Sequence, residues 1–269
     1  MRMLFIVSPA KKMNVVDDAF AWRDLPRFVD CAAVLAEVVR ALGYDEAKAL
    51  WKCSDALAAL NVERFRTMDV RDVGALTPAV LAYEGIQYQN LAPQVMTADQ
   101  LAYLQRHLRI LSGFYGVLRP LDGVVPYRLE MQAKLSVSGA RDLYEYWGDA
   151  LYRSLVDELF GDGGADRCLV IVNLASVEYA KAVVPFAQRA RAAGGSRAPR
   201  VVTCLFGATN AEGKLIQRST AAKAARGTFM RWCAECGIEQ PADLRAFDRL
   251  GYRFDPDRSD GDTFVFVCD

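Results

Sequence analysis

The sequence predicts an α/β fold: one domain with a mixed β-sheet core surrounded by helices. Three observations lead there. Leu4–Val7 and Leu169–Leu174 are short apolar runs of the kind that form buried central strands. Helical periodicity recurs between and after them, first over Arg27–Leu42. No repeat and no linker divides residues 1–269, so the whole chain reads as a single domain able to bury a substantial core.

The elements follow in order. Leu4–Val7 is a strand that opens into Ser8-Pro9-Ala10-Lys11. Arg27–Leu42 carries Phe28, Cys31, Leu35, Val38 and Leu42 on one helical face, and Gly43 ends it. Two helical stretches follow, near Asp45–Lys52 and Asp55–Leu60, with Ser54 placed to cap the second. Val80–Tyr83 reads as a strand leading to Gly85. Thr97–Gln105 is a helix with a threonine cap, and Leu108–Ser112 is an apolar strand. Leu143–Phe160 reads as one long helix stopped by Gly161. After the central strand Leu169–Leu174, an exposed basic loop is expected over Gln188–Arg200. Val201–Phe206 and Lys214–Gln217 form a hairpin, Ala221–Cys236 a helix, and Tyr252–Phe254 with Thr263–Val267 a last strand pair.

Composition removes several functions. No apolar run approaches the roughly 18 residues of a membrane span, and the N-terminus is too short and polar for a secretory signal, so neither is expected. The odd number of cysteines, 7, argues for reduced thiols in apolar surroundings. Cys233 and Cys236 have CxxC spacing inside a helical run, where neither a redox nor a zinc site is expected. His107 is the 1 histidine, too few imidazoles for zinc catalysis or a histidine-based triad. No metal and no cofactor is expected.

Charge is unevenly spread. The formal net charge is zero, yet Lys181–Arg231 holds ten Lys and Arg against Glu212 alone. Arg106–Arg141 holds six against Asp122 and Glu130. Such segregation can focus a positive field in a cleft for phosphate ligands, unless acidic stretches interleave with the basic ones in space.

Leu111–Met131 is the most unusual stretch: irregular, apolar, and bearing Arg119 and Arg128 among glycines and prolines. Two readings stand, a ligand-facing loop or a buried turn whose arginines pair with Asp122 and Glu130. Lys11 follows the first strand, where open α/β sheets collect ligands, and an ammonium there suits a phosphate. SPAK lacks the glycines of a P-loop. Ser176 is placed as a helix cap with Glu178 in the first turn, leaving Asn173, Tyr179 and Lys181 unexplained. Adjacent strand ends at a topological switch point would bring Lys11 beside Lys181. Lys223 and Arg226 are three apart on one helix face, and Gly227 admits a close backbone or phosphate.

Together with Leu111–Met131, four blocks, SPAK at Ser8–Lys11, DLYEYWGD at Asp142–Asp149, NLASVEY at Asn173–Tyr179 and AKAARG at Ala222–Gly227, resemble the YaaA family of bacterial peroxide-stress proteins from residue 3 to residue 266. The resemblance implies a cytoplasmic protein with a family-specific fold, protection against hydrogen peroxide by limiting free iron, and DNA binding in a positively charged cleft. Ala224 stands where the family has a second lysine, and Arg218-Ser-Thr where it is more aromatic. The family's helix-hairpin-helix would fall at Ser54–Phe65, which lacks the glycine such hairpins use.

The expected partner is therefore DNA, duplex or structured, with weak sequence preference. Lys11, Arg119, Arg128, Lys181, Lys223 and Arg226 would contact phosphates, and Tyr115 and Tyr127 would stack on bases. The alternative is an enzyme acting on a small anionic molecule in the same cleft. Glu130 or Glu178 would then be its acid–base groups, Tyr127 or Tyr179 its proton donors, and Ser8, Asn173 and Ser176 its polar lining. Direct iron binding by carboxylates is the weakest reading, because no acidic cluster has ligand spacing.

Overall fold

The two apolar runs lie side by side at the centre of the sheet. In the computed structural model, which describes residues 2–16, 20–161, 169–195 and 197–268, β1 (Arg2–Val7) pairs in parallel with β8 (Leu169–Asn173), Ile6 opposite Asn173. On the other flank β1 runs parallel to β5 (Leu108–Ser112), which turns back antiparallel into β6 (Gly116–Leu118). Beyond β8 come β9 (Arg200–Thr209) and β12 (Thr263–Cys268), both parallel, then β11 (Tyr252–Phe254) antiparallel at the edge. β10 (Leu215–Ile216) folds back on the end of β9, as the expected hairpin requires. The order among the described residues is β11-β12-β9-β8-β1-β5-β6, a mixed sheet of 8 strands counting β10. Two small ladders lie outside it: β2 (Lys12–Met13) with β4 (Tyr83–Glu84), and β3 (Thr77–Pro78) with β7 (Gly123–Val124).

Helices cover this sheet. α1 (Val29–Arg40), α2 (Tyr44–Trp51) and α3 (Asp55–Thr67) follow one another through short turns. α1 buries Ala32, Leu35, Ala36 and Val39, so Val38 and Leu42 are left at the rim of a hollow. Gly43 caps the start of α2, its N–H donating to the Glu46 carboxylate at 3.0 Å. Asp55–Thr67 is a continuous helix, so no hairpin exists at Ala59–Asn61; the chain turns instead at Lys52, in the left-handed region at φ 46.

Two expectations fail for local reasons. Val80–Ala82 is not a strand: α4 (Ala79–Ala82) forms there after Pro78 at its N-cap, and only Tyr83 of the expected run is extended, in β4. The first N–H groups of α4 donate to the carbonyls of Asp122 and Pro120. Leu143–Phe160 is two helices, α7 (Leu143–Trp147) and α8 (Ala150–Phe160), because Gly148 takes φ 48 and ψ −127, which glycine alone adopts without strain. The Thr97 cap is present on α6 (Ala98–His107), where Thr97 and Gln100 satisfy each other's N–H groups. α9 (Val177–Ala180) and α10 (Val184–Ala192) follow β8, and α10 takes up the start of the stretch read as a basic loop. α5 (Ile86–Leu91) lies against α11 (Ser219–Cys236).

Leu111–Met131 is mostly core. Only Arg119, Pro126, Arg128 and Glu130 escape full burial between Leu111 and Met131. Ser112 Oγ accepts the N–H groups of Phe114 and Tyr115, and the Ser112, Tyr127 and Tyr83 hydroxyls form a buried chain with spacings of 2.6 and 2.7 Å. The buried-turn reading therefore holds for most of the stretch, since its backbone needs internal partners to be buried at all.

Candidate functional site

β1 and β8 are neighbours whose onward connections leave in opposite directions, β1 toward β5 and β8 toward β9. The crevice outside their carboxyl ends is the switch point where open sheets place ligands. Ser8 and Ser176 close its floor. Ser8 Oγ accepts the Ser176 N–H at 2.8 Å and donates to Ser176 Oγ at 3.1 Å. Gln87 and Tyr88 of α5 donate to the Ser8 carbonyl. Ser176 does stand at the start of α9, but its hydroxyl caps nothing.

Two hollows open beside these loops. The first, about 520 Å³, is lined by Lys11, Lys52, Lys134, Glu46, Glu130 and the apolar rim of α1. Lys11 pairs with Glu130 at 2.9 Å, and Arg128 pairs with the other Glu130 oxygen at 3.1 Å. Arg128 also reaches the Trp51 carbonyl, and its Nε is buried without an acceptor. Glu178 accepts the Gln132 N–H at 3.2 Å, and burial raises its carboxyl pKa, with the neighbouring Glu130 charge acting the same way. Burial likewise lifts the Tyr179 hydroxyl well above its ordinary range. Lys52 and Lys134 are exposed and make no ion pair among the described residues.

The second hollow, about 240 Å³, is lined by Asn173, Lys181, Thr203, Gln217 and Arg226, with no acid among its lining residues. Asn173 is fixed by the Ala175 N–H and by Thr203. Arg226 Nε is buried with no acceptor, and burial lowers the guanidinium pKa. Lys11 and Lys181 thus flank the same pair of strand ends but line different hollows.

The remaining expected residues lie elsewhere. Arg119 pairs with Glu158 at 3.3 Å in a third hollow with Asp24, Arg27 and Asp122. Tyr115 and Tyr127 are buried at 0% and 4% exposure, so neither offers a face for stacking. Lys223 is exposed on α11, one turn before Arg226. Gly227 admits a backbone and not a phosphate: a Cβ there would lie 2.0 Å from the Gln87 carbonyl oxygen. Sequence reasoning missed Lys52 and Lys134, since only the fold brings α2 and the 130–136 loop to one rim.

Interleaving also cancels part of the basic stretches. Arg200 pairs with Asp262, and Arg109 with Glu158, acids that lie outside the two basic stretches in sequence. Among the described residues no group of three potential metal ligands occurs, and no helix is long and apolar enough to cross a membrane. His107 packs on Tyr103 with Nδ1 3.0 Å from the Met3 carbonyl oxygen. Cys233 is buried and Cys236 exposed, both as free thiols, while Cys168 lies outside the described residues.

Comparison with known proteins agrees with this reading of the motifs. A family model described as peroxide stress protein YaaA matches residues 3–258. UPF0246 proteins of Pediococcus pentosaceus and Agathobacter rectalis are each 45% identical over 265 and 264 residues, covering 98% of both chains. A UPF0246 protein of Desulfitobacterium hafniense is 44% identical over 265 residues, again covering 98% of each. With its motif blocks gathered largely around one switch point and the match running nearly end to end, the chain belongs to the peroxide stress protein YaaA family.

Proposed function

We propose that the chain protects cells against hydrogen peroxide from within the cytoplasm by binding DNA along the carboxyl end of its sheet. The observation that carries this reading is a set of exposed cations that make no ion pair among the described residues beside the switch point. Lys52 and Lys134 edge one hollow, Lys181 edges the other, and Lys223 stands one turn from Arg226 on α11. Exposed, uncompensated ammonium groups suit a phosphate backbone, because binding them releases counterions and needs no base contact. Weak sequence preference follows, since phosphate contacts carry no sequence information, and the buried Tyr115 and Tyr127 offer no face for stacking. The limitation of free iron implied by the family resemblance is then an indirect consequence and not metal chelation by this chain.

Fluorescence anisotropy with a labelled 5′-hydroxyl duplex tests the reading. Binding at low salt that weakens steeply with added salt, and weakens again in Lys52→Glu and Lys181→Glu, supports it. Absence of binding at low salt overturns it.

A further inference from the structure

Arg226 is a cation held where no anion meets it. Its Nε is buried without an acceptor, and no carboxylate lines the hollow it faces. Cys204 lines the same hollow and is the one group whose charge would favour the guanidinium, but burial pushes its thiol up and so keeps it neutral. Burying part of a guanidinium without a counterion is costly. An arrangement that keeps one beside Lys181 is therefore short of an anion.

The surrounding groups specify what kind. Arg226 supplies a planar fork suited to two oxygens of one phosphoryl group, and Lys181 supplies a second positive charge at the rim. Thr203 Oγ accepts from the Asn173 amide at 3.4 Å, which leaves its hydroxyl hydrogen free to donate. The Gln217 amide adds further donors at the mouth. The volume, about 240 Å³, falls below the roughly 300 Å³ at which pockets begin to enclose whole small molecules. It accommodates a phosphoryl head group.

We infer that the hollow between β8, β9 and α11 is a binding pocket for one phosphomonoester dianion. This goes beyond a DNA groove, because a backbone phosphodiester carries one charge and is flanked by sugars on both sides, whereas a terminal phosphoryl group presents three oxygens and can enter. The dianion has two possible sources, the phosphorylated end of a nucleic-acid strand or a free phosphorylated small molecule.

Calorimetric titration of the full chain with inorganic phosphate, phenyl phosphate, and a short strand bearing either a 5′-phosphate or a 5′-hydroxyl tests this. Wild type is expected to bind both phosphate and phenyl phosphate. Arg226→Met should lower the affinity at least tenfold, with thermal stability in phosphate-free buffer retained or raised. Lys181→Ala, at an exposed position, should also weaken binding, and it keeps the test valid if the arginine variant fails to fold. A 5′-phosphorylated strand that outbinds both its 5′-hydroxyl twin and phenyl phosphate makes the strand end the ligand; parity with phenyl phosphate makes it a small molecule. No binding of either phosphate by wild type at millimolar concentration, or equal binding by both variants, overturns the pocket. Because the 5′-hydroxyl duplex is tested separately, failure of the groove leaves this result standing, and the converse holds.

Discussion

Gly227 and Gln87 touch backbone to backbone: a Cβ on the glycine would sit 2.0 Å from the glutamine's carbonyl oxygen. That approach seats α5 on α11, and from α5 the side chains of Gln87 and Tyr88 hold the Ser8 carbonyl at 3.2 and 3.0 Å. Helix packing far along the chain thereby fixes the end of β1, where Lys11 begins. Gly227→Ala should cost about 1–3 kcal/mol, the usual penalty for overpacking. Urea denaturation checks this, with Lys223→Ala as an exposed neighbour expected to change stability by less than about 0.5 kcal/mol.

Glu130 bridges two cations of unequal exposure, Lys11 at 65% and Arg128 at 11%. Glu130→Gln should therefore destabilise mainly through Arg128, left nearly buried without its acid. The loss should be about 2–3 kcal/mol, below the figure for a fully buried pair because the site is partly open. The same change removes a negative charge beside the lysines, so duplex affinity should rise while stability falls. Opposite signs in the two measurements distinguish this arrangement from simple loss of structure.

Asp122 is buried, and burial raises its carboxyl pKa to about 7. Its folded pKa thus exceeds the unfolded value near 4. The folded state holds the proton more tightly, so this group's stabilising contribution is full below about pH 4 and declines as pH rises toward 7. Asp122→Asn, which keeps an oxygen for the Arg119 N–H, should remove that decline. Chemical denaturation between pH 4 and 8 should show the slope, at most about 1.4 kcal/mol per pH unit, in wild type and not in the variant.

Ser8→Ala deprives the half-buried Ser176 N–H of its acceptor and should cost about 1–2 kcal/mol. Ser176→Ala keeps that N–H satisfied and should cost less. Thermal unfolding of the two variants side by side checks the order.

The central strands were legible because burial on both faces leaves apolar runs such as Leu169–Asn173 that nothing else explains. Helix periodicity located α1, α6 and α11 within a few residues. α4 was not legible, since its first N–H groups are satisfied by a chain segment some 40 residues away. Leu111–Met131 misled for a related reason: glycines and arginines suggest a ligand loop, yet Gly113 is required because a Cβ would meet the Leu129 carbonyl oxygen at 2.7 Å. Lys11 and Lys181 could be placed near strand ends from sequence, and Arg226 on a helix face beside Lys223. Their division between two hollows depends on side-chain packing that local pattern does not encode.

The most direct test of the account is the salt dependence of duplex binding in three proteins. Each lysine that contacts a phosphate adds about 0.9 to the slope of log K against log salt. The account predicts that Lys52→Ala with Lys181→Ala lowers the slope by nearly two such increments, while Arg119→Ala, in the third hollow, leaves it at the wild-type value. A slope that falls with Arg119 and stays constant with the lysine pair would contradict it and move the DNA to another face of the molecule.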